Sequence, residues 1–154
     1  MTVGTIPEGF FALHMGEWGF IPENGPLYGK REDNFFLLGF RVEERHCNPA
    51  KICHGGMLMT FADMQLPFGI RLQALSDPGF LPTVSLSAEF MAPAPLGSWV
   101  QGRTDVLKTT RNLAFAQCLV TADGEPVLRA SGIFKVASAK GDVAPLARVL
   151  GNNG

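Results

Sequence analysis

The 154-residue sequence predicts a single α+β domain in which a long central helix is wrapped by a curved antiparallel β-sheet. Two observations carry that reading. The segment from His54 to Leu75 is too long for a strand, and before Arg71 its only charge is Asp63. It therefore reads as a helix apolar on all sides, which other elements must enclose because no face can be left to water without cost. Downstream, four long β-type stretches are separated by turn chemistry, as in an antiparallel meander. Such a sheet encloses a helix by curving around it.

Residues 1–25 read as an N-terminal docking arm, with Glu8, Glu17 and Glu23 among clustered Gly and Pro. Its apolar patch Phe10-Phe11-Ala12-Leu13 predicts one amphipathic turn or two. From Pro26 to Arg45, the residues Leu27, Tyr28, Phe35, Phe36, Leu37, Leu38, Phe40 and Val42 interleave with charges, which predicts two strands. In the helix that follows, Pro67 removes the hydrogen bond to the Asp63 carbonyl and predicts a kink. The later strands are expected at Thr83 to Pro93, Trp99 to Leu107, Leu113 to Thr121 and Pro126 to Val136. Turns at residues 94–97, 109–112 and 122–125 separate them. The domain body thus spans residues 26–140, and a tail over 141–154, ending Gly151-Asn152-Asn153-Gly154, is expected to fray.

Composition narrows the function. Hydrophobic residues make up 46% and charged residues 18%, below the roughly 25% usual for soluble chains, so a homo-oligomer is expected. A net charge of -1 with a pI near 6.3 offers no field to recruit polyanions, so no nucleic-acid partner is expected. The first basic residue is Lys30, which excludes a charged signal-peptide start. No apolar run approaches the ~18 residues of a membrane span, and a cytoplasmic protein with no membrane partner is expected. Three cysteines, an odd number, point to reduced thiols with no structural disulfide.

The chemistry concentrates in Asn48-Pro49-Ala50-Lys51-Ile52-Cys53-His54-Gly55-Gly56, followed by Asp63. Two glycines opening a helix leave bare N–H groups at the positive end of its dipole, which is the physics of an oxyanion hole. Glycines alone favour a tight loop-to-helix turn over that reading. Asp63 stands alone among Met57, Leu58, Met59, Phe61, Met64 and Leu66, so it is expected to be desolvated, a cost that points to function. A carboxylate satisfied by backbone donors or a buried arginine is the competing reading. His54 and Asp63, nine residues apart, fall on opposite faces of a helix and about 13 Å apart along it. If both serve one site, two antiparallel copies of the helix must lie side by side, with Asp63 of one chain facing Gly55 of the other. His46, Cys47, Cys53 and His54 have no common zinc spacing and their adjacent pairs point apart, so no metal is expected. Cys118, with no positive neighbour, reads as buried filler.

Asn48 six residues before His54-Gly55-Gly56, Asp63 nine after that histidine, Gly25-Pro26-Leu27-Tyr28-Gly29, and the run from Thr83 to Ala94 together resemble the PaaI-type acyl-CoA thioesterases of the hotdog superfamily. The resemblance covers roughly Gly25 to Val136. It implies the hotdog fold, dimers that pair their sheets, a further dimer of dimers, and active sites at the dimer interface. It also implies Asp63 as general base or nucleophile, Gly55 as the N–H that polarises the thioester carbonyl, and Asn48 as the residue that orients the attacking water. His54 would hold the acyl or thiolate end, and Thr83 would support the water. Gly56 and Phe90 are implied substrate contacts, and Lys108-Thr109-Thr110-Arg111-Asn112-Leu113 matches the loop that lies along CoA. Lys108 and Arg111 suit its phosphates, although an exposed basic turn reads the same way. No cofactor is implied, and the partner is an acyl-CoA.

Pro67 and Lys51-Ile52-Cys53 depart from the family pattern and leave the acyl group open. Met57, Met59, Met64 and Phe68 suit an aromatic or medium-chain group, but such residues are more often core. Two rivals remain. A hotdog hydratase or dehydratase sets its His close behind Asp-Asn-Pro, whereas here Asn48-Pro49 has no preceding acid. An acyl-CoA-binding sensor would carry a DNA-binding helix pair, and none precedes the domain.

Overall fold

The computed structural model describes residues 4–75 and 79–136. Its elements in chain order are β1 (Phe11–Ala12), α1 (Phe20–Asn24), β2 (Tyr28–Glu32), β3 (Phe35–Arg41), a 3-10 turn (Glu44–His46), α2 (Gly55–Ala74), β4 (Thr83–Phe90), β5 (Trp99–Thr109), β6 (Leu113–Ala122) and β7 (Glu125–Lys135). The seven strands form one antiparallel sheet in the order β1-β2-β3-β5-β6-β7-β4. The sheet is curved and α2 is long, which is the hotdog arrangement. The tail beyond residue 136 lies outside the described residues.

Alternation builds the long strands. β6 buries Ala114, Ala116, Cys118, Val120 and Ala122, every second residue, so one face of the strand lines the core. The turn at Asp123-Gly124 is a natural hairpin, since both residues have positive φ. The chain enters α2 from β3, in the middle of the sheet, and leaves it into β4 at the far edge. The helix must therefore lie across the sheet.

Its contact face is periodic. Leu58, Phe61, Ala62, Gln65, Leu66, Gly69 and Ile70 are buried at helical spacing, against Phe36, Leu38, Phe40, Val100, Val120, Leu128 and Phe134. Each large apolar side chain so enclosed contributes about 1.5–3 kcal/mol of transfer free energy. One polar residue joins them. Gln65 Nε2 donates to the Phe36 carbonyl at 2.9 Å and to Thr104 Oγ1 at 3.0 Å, while its Oε1 accepts from the Leu38 N–H at 2.8 Å. The side chain thus ties α2 to β3 and β5 with its polar groups satisfied. Gly69 makes the approach possible, because a Cβ there would stand 2.3 Å from Thr104 Cβ.

Two expectations need correction. The helix is not enclosed on every side: Met57, Met59, Asp63, Met64 and Pro67 are half-buried on the face turned away from the sheet. Counting apolar residues conceals this, because the sheet wraps only one side of α2 within the chain. The patch Phe10 to Leu13 forms β1, a two-residue strand paired with β2, rather than a helical turn. Helix α2 runs on through Pro67 to Ala74. No helix among the described residues is long and apolar enough to cross a membrane.

Besides the pairing of β1 with β2, the arm is clamped at its C-terminal end. His46, 2% exposed, holds the Asn24 carbonyl with Nε2 at 2.7 Å and accepts the Glu43 N–H with Nδ1 at 3.0 Å. Arg45 adds a hydrogen bond to the Gly25 carbonyl. Together they fix α1 beside the start of α2.

Candidate active site

Four parts of the chain supply the expected residues. The first is the hairpin into α2. Asn48 Oδ1 accepts the Ala50 N–H at 3.0 Å, and Lys51, at φ 58, completes a turn closed by Lys51 N–H to the Asn48 carbonyl at 2.9 Å. The carbonyl of the Asn48 side chain is thereby engaged in its own turn, and its amide N–H groups have no hydrogen bond among the described residues.

The second part is the start of α2. His54 is the N-cap, and its Nδ1 accepts the Gly56 N–H at 2.9 Å. That bond satisfies one of the orphan donors of the first turn. Among the described residues nothing accepts from the Gly55 N–H, and no acidic residue stands in the first turn to offset the helix dipole. Gly55 is helical without positive φ, so a tight turn does not account for it. A Cβ on Gly55 would meet the Phe90 ring at 3.3 Å, which puts Phe90 directly over the helix start. His54, Gly56, Met57 and Thr60 line a cavity of about 230 Å³, closed on its other side by Phe20 and Asn24 of α1 and by Arg45 and Cys47.

The third part is two turns further along. Thr83 Oγ1 donates to Asp63 Oδ1 at 2.6 Å, so the first residue of β4 holds the carboxylate. Asp63 is half-buried on the open face of α2. Among the described residues neither backbone donors nor a buried arginine satisfy it. Eight residues separate Gly55 from Asp63, about 12 Å along the axis. Asp63 does not line the cavity at His54.

The fourth part, Lys108 to Leu113, spans the end of β5, the turn at 110–112 and the first residue of β6. The Leu113 N–H donates to Thr110 Oγ1 at 3.0 Å and the Thr110 N–H to the Leu113 carbonyl at 2.7 Å, closing a tight turn. Lys108, Thr109, Arg111 and Asn112 are exposed, and neither Lys108 nor Arg111 has an ion pair among the described residues. Leu113 pairs with Lys135, and Phe134 pairs with Thr83. The basic turn therefore shares one end of the sheet with Thr83 and Asp63, while Phe90 and Gly55 stand at the other.

The structure thus brings Asp63 to Thr83 and Gly55 to Phe90, and keeps the two pairs apart. Three contributors were not singled out from sequence: Gln65, the His46 clamp, and Phe20 with Asn24 on the cavity wall. A five-residue helix has no periodicity to reveal it, and a polar residue inside an apolar run gives no sign of its partners.

The model of the Thioesterase superfamily matches residues 50–128, from within the hairpin through α2, β4, β5 and β6 into the start of β7. The chain belongs to the thioesterase superfamily. As a member it is a thioester hydrolase, and PaaI-type proteins are among its structural neighbours. This thioesterase is 30% identical over 130 residues to a candidate esterase of Pseudomonas aeruginosa, PA0474, covering 84% of this chain and 96% of the relative. It is similar in structure to thioesterase superfamily member 2 of zebra fish, with a TM-score of 0.64 and 25% identity over 72% of this chain and 81% of the other. It also resembles the Escherichia coli PaaI protein from the phenylacetic acid degradation operon, at TM-score 0.65 and 15% identity over 74% of this chain and 81% of that one. A Streptococcus pneumoniae thioesterase solved with coenzyme A superimposes at TM-score 0.62 and 17% identity, over 75% and 88% of the two chains. The last two likenesses show the fold.

Proposed function

We propose that this thioesterase hydrolyses an acyl-CoA to the free acid and CoA in a site shared by two subunits. The observation that carries the reading is the separation of the two pairs along α2: an unpartnered Gly55 N–H at the helix start, and the Asp63 carboxylate about 12 Å away on the open face. Two antiparallel copies of α2 bring Asp63 of one subunit opposite Gly55 of the other. The free edge supports such pairing. β4 ends the sheet with its outer side unpaired and exposes Val84 (59%) and Phe90 (53%), with Met91 (51%) just beyond it, an edge of the kind that proteins cover. The cavity of about 230 Å³ in one protomer is below the roughly 300 Å³ at which ligand pockets begin, and a partner would enlarge it.

In this mechanism Gly55 N–H donates to the thioester oxygen as charge develops there. Asp63, steered by Thr83, either takes a proton from the attacking water or attacks the carbonyl itself. The C–S bond breaks, CoA leaves as thiol, and the new oxygen of the acid comes from water, directly or by way of the Asp63 carboxylate that water then restores. Asn48 and His54 orient the reactants, Gly56 and Phe90 border the acyl group, and the turn from Lys108 to Leu113 lies along CoA, with Lys108 and Arg111 toward its phosphates. The coenzyme A in the Streptococcus pneumoniae neighbour supports this class of ligand.

Release of thiol from a panel of acyl-CoAs tests the reading. Asp63→Asn preserves volume and should keep the fold and CoA affinity while losing turnover by at least a hundredfold. Near wild-type turnover would overturn it, and ligand-induced thermal shifts with no thiol released by the wild type would favour the sensor. Hydration of an enoyl-CoA without hydrolysis would favour the hydratase. After a single turnover in oxygen-18 water, label in Asp63 identifies an acyl-aspartyl intermediate opened by water at the aspartate carboxyl carbon.

A further inference from the structure

Two cysteines face each other across the hairpin that leads into α2. The Asn48 N–H donates to the Ile52 carbonyl at 2.9 Å and the His54 N–H to the His46 carbonyl at 2.7 Å. Between these bonds, Cys47 and Cys53 pair in antiparallel register. Bonds that flank a pair without joining it define the non-hydrogen-bonded position of an antiparallel ladder, where Cα atoms lie about 4.5 Å apart and both side chains project from one face. A disulfide closes over Cα separations of roughly 4.4–6.8 Å, so the backbone already stands within reach. Both thiols are free, and the sulfurs make only weak contacts, to the Glu43 and His54 carbonyls.

We propose that Cys47 and Cys53 form a reversible intrachain disulfide that staples the hairpin from Asn48 to Ile52. The oxidant is a small-molecule disulfide. Cys47 is half-buried and borders the cavity at His54, whereas Cys53 is 5% exposed, so the reagent meets Cys47 first. The Cys47 thiol loses its proton to water, and the thiolate attacks one sulfur of the reagent to give a mixed disulfide and one small thiolate. Cys53 then gives up its proton and displaces the second small thiolate from the Cys47 sulfur. Two small thiols form per protein disulfide, so two electrons and two protons leave the cysteine pair.

Burial pushes the Cys53 thiol up to about 12, and burial with the nearby Glu44 carboxylate raises that of Cys47. Closure is therefore slow at neutral pH and accelerates as pH rises, as thiolate chemistry requires. Cys118 takes no part. It stands on β6 between Thr104 and Ala130, with no thiol opposite. The odd cysteine count thus conceals one pair and one spectator.

The test is peptide mapping of the native protein after equilibration with oxidised glutathione, alkylation and trypsin. Cleavage after Arg45, Lys51 and Arg71 leaves Cys47 in the peptide from His46 to Lys51 and Cys53 in the one from Ile52 to Arg71. These two peptides should appear linked and lacking two hydrogens, separate again with dithiothreitol, and leave Cys118 alkylated. Cys118→Ser should retain the link and Cys47→Ser should lose it. The oxidised wild type should melt on the order of 5 °C higher than the reduced form, and Cys47→Ser should show no such difference. Glutathione retained on Cys47 without transfer, both cysteines alkylated under oxidising conditions, or a link through Cys118 would each overturn the proposal. None of these readouts involves hydrolysis, so the disulfide stands or falls apart from the acyl-CoA reading.

Discussion

Gly55 shows how a single residue separates chemistry from folding. Its φ is not positive, so alanine meets no backbone strain there, and the helix start accepts alanine at modest cost. What alanine does meet is the Phe90 ring at 3.3 Å and the space a thioester oxygen would occupy. On the proposed mechanism Gly55→Ala leaves the N–H in place but sets a methyl in the way of the thioester oxygen, and is expected to lower kcat on the order of a hundredfold with Tm held or raised. Measuring both on one preparation decides the matter, since unchanged kcat with a lower Tm would reassign Gly55 to folding. His46 carries a second prediction. Burial holds its imidazole below the ordinary value of 6.5, against the Asn24 carbonyl and Glu43, with Arg45 lowering it further. The folded state prefers the neutral ring, so this contribution to stability is present above about pH 6.5 and is lost as pH falls through the lower folded value. Between about pH 7 and pH 5 the wild type should lose more Tm than His46→Gln, and equal losses would show that the clamp does not titrate.

At the scale of elements, α2 against its sheet is the structural decision of the fold. Gly69→Ala places a methyl 2.3 Å from Thr104 Cβ, in contact with the Gln65 network, where neither backbone can retreat. A loss of about 2–3 kcal/mol is expected in urea unfolding, with m unchanged. A loss under about 0.5 kcal/mol would mean that the interface is looser than these contacts imply. α2 and the four strands after it were legible because each strand ends in its own turn chemistry and the helix exceeds any strand in length. The pairing of β1 with β2 was not legible, since two residues carry no alternation. The open face of α2 was hidden for a different reason. Its half-buried positions, Met57, Met59 and Met64, are as apolar as its buried ones, and only the sheet distinguishes them. The spacing of Gly55 and Asp63 was legible from the helical repeat alone, whereas the hold of Thr83 on Asp63 joins residues twenty positions apart and required the fold.

For the whole molecule, the low charge, the apolar edge of β4 and the divided site all point to association. Obligate dimers are expected by light scattering, with turnover per subunit falling upon dilution as dimers dissociate. Full activity from a monomer would refute the shared site. The position of β4 in the sheet also affects how the chain is made. β4 leaves the ribosome well before its intrachain neighbour β7, since Glu89 and Arg129, which face each other, lie forty residues apart. At about 5–20 residues per second, the apolar strand waits roughly 2–8 s for the one that will cover it. Through that interval the nascent chain carries a sticky, unpaired ribbon, and the yield of soluble protein becomes a contest between elongation speed, chaperone capture and encounters with other unfinished copies.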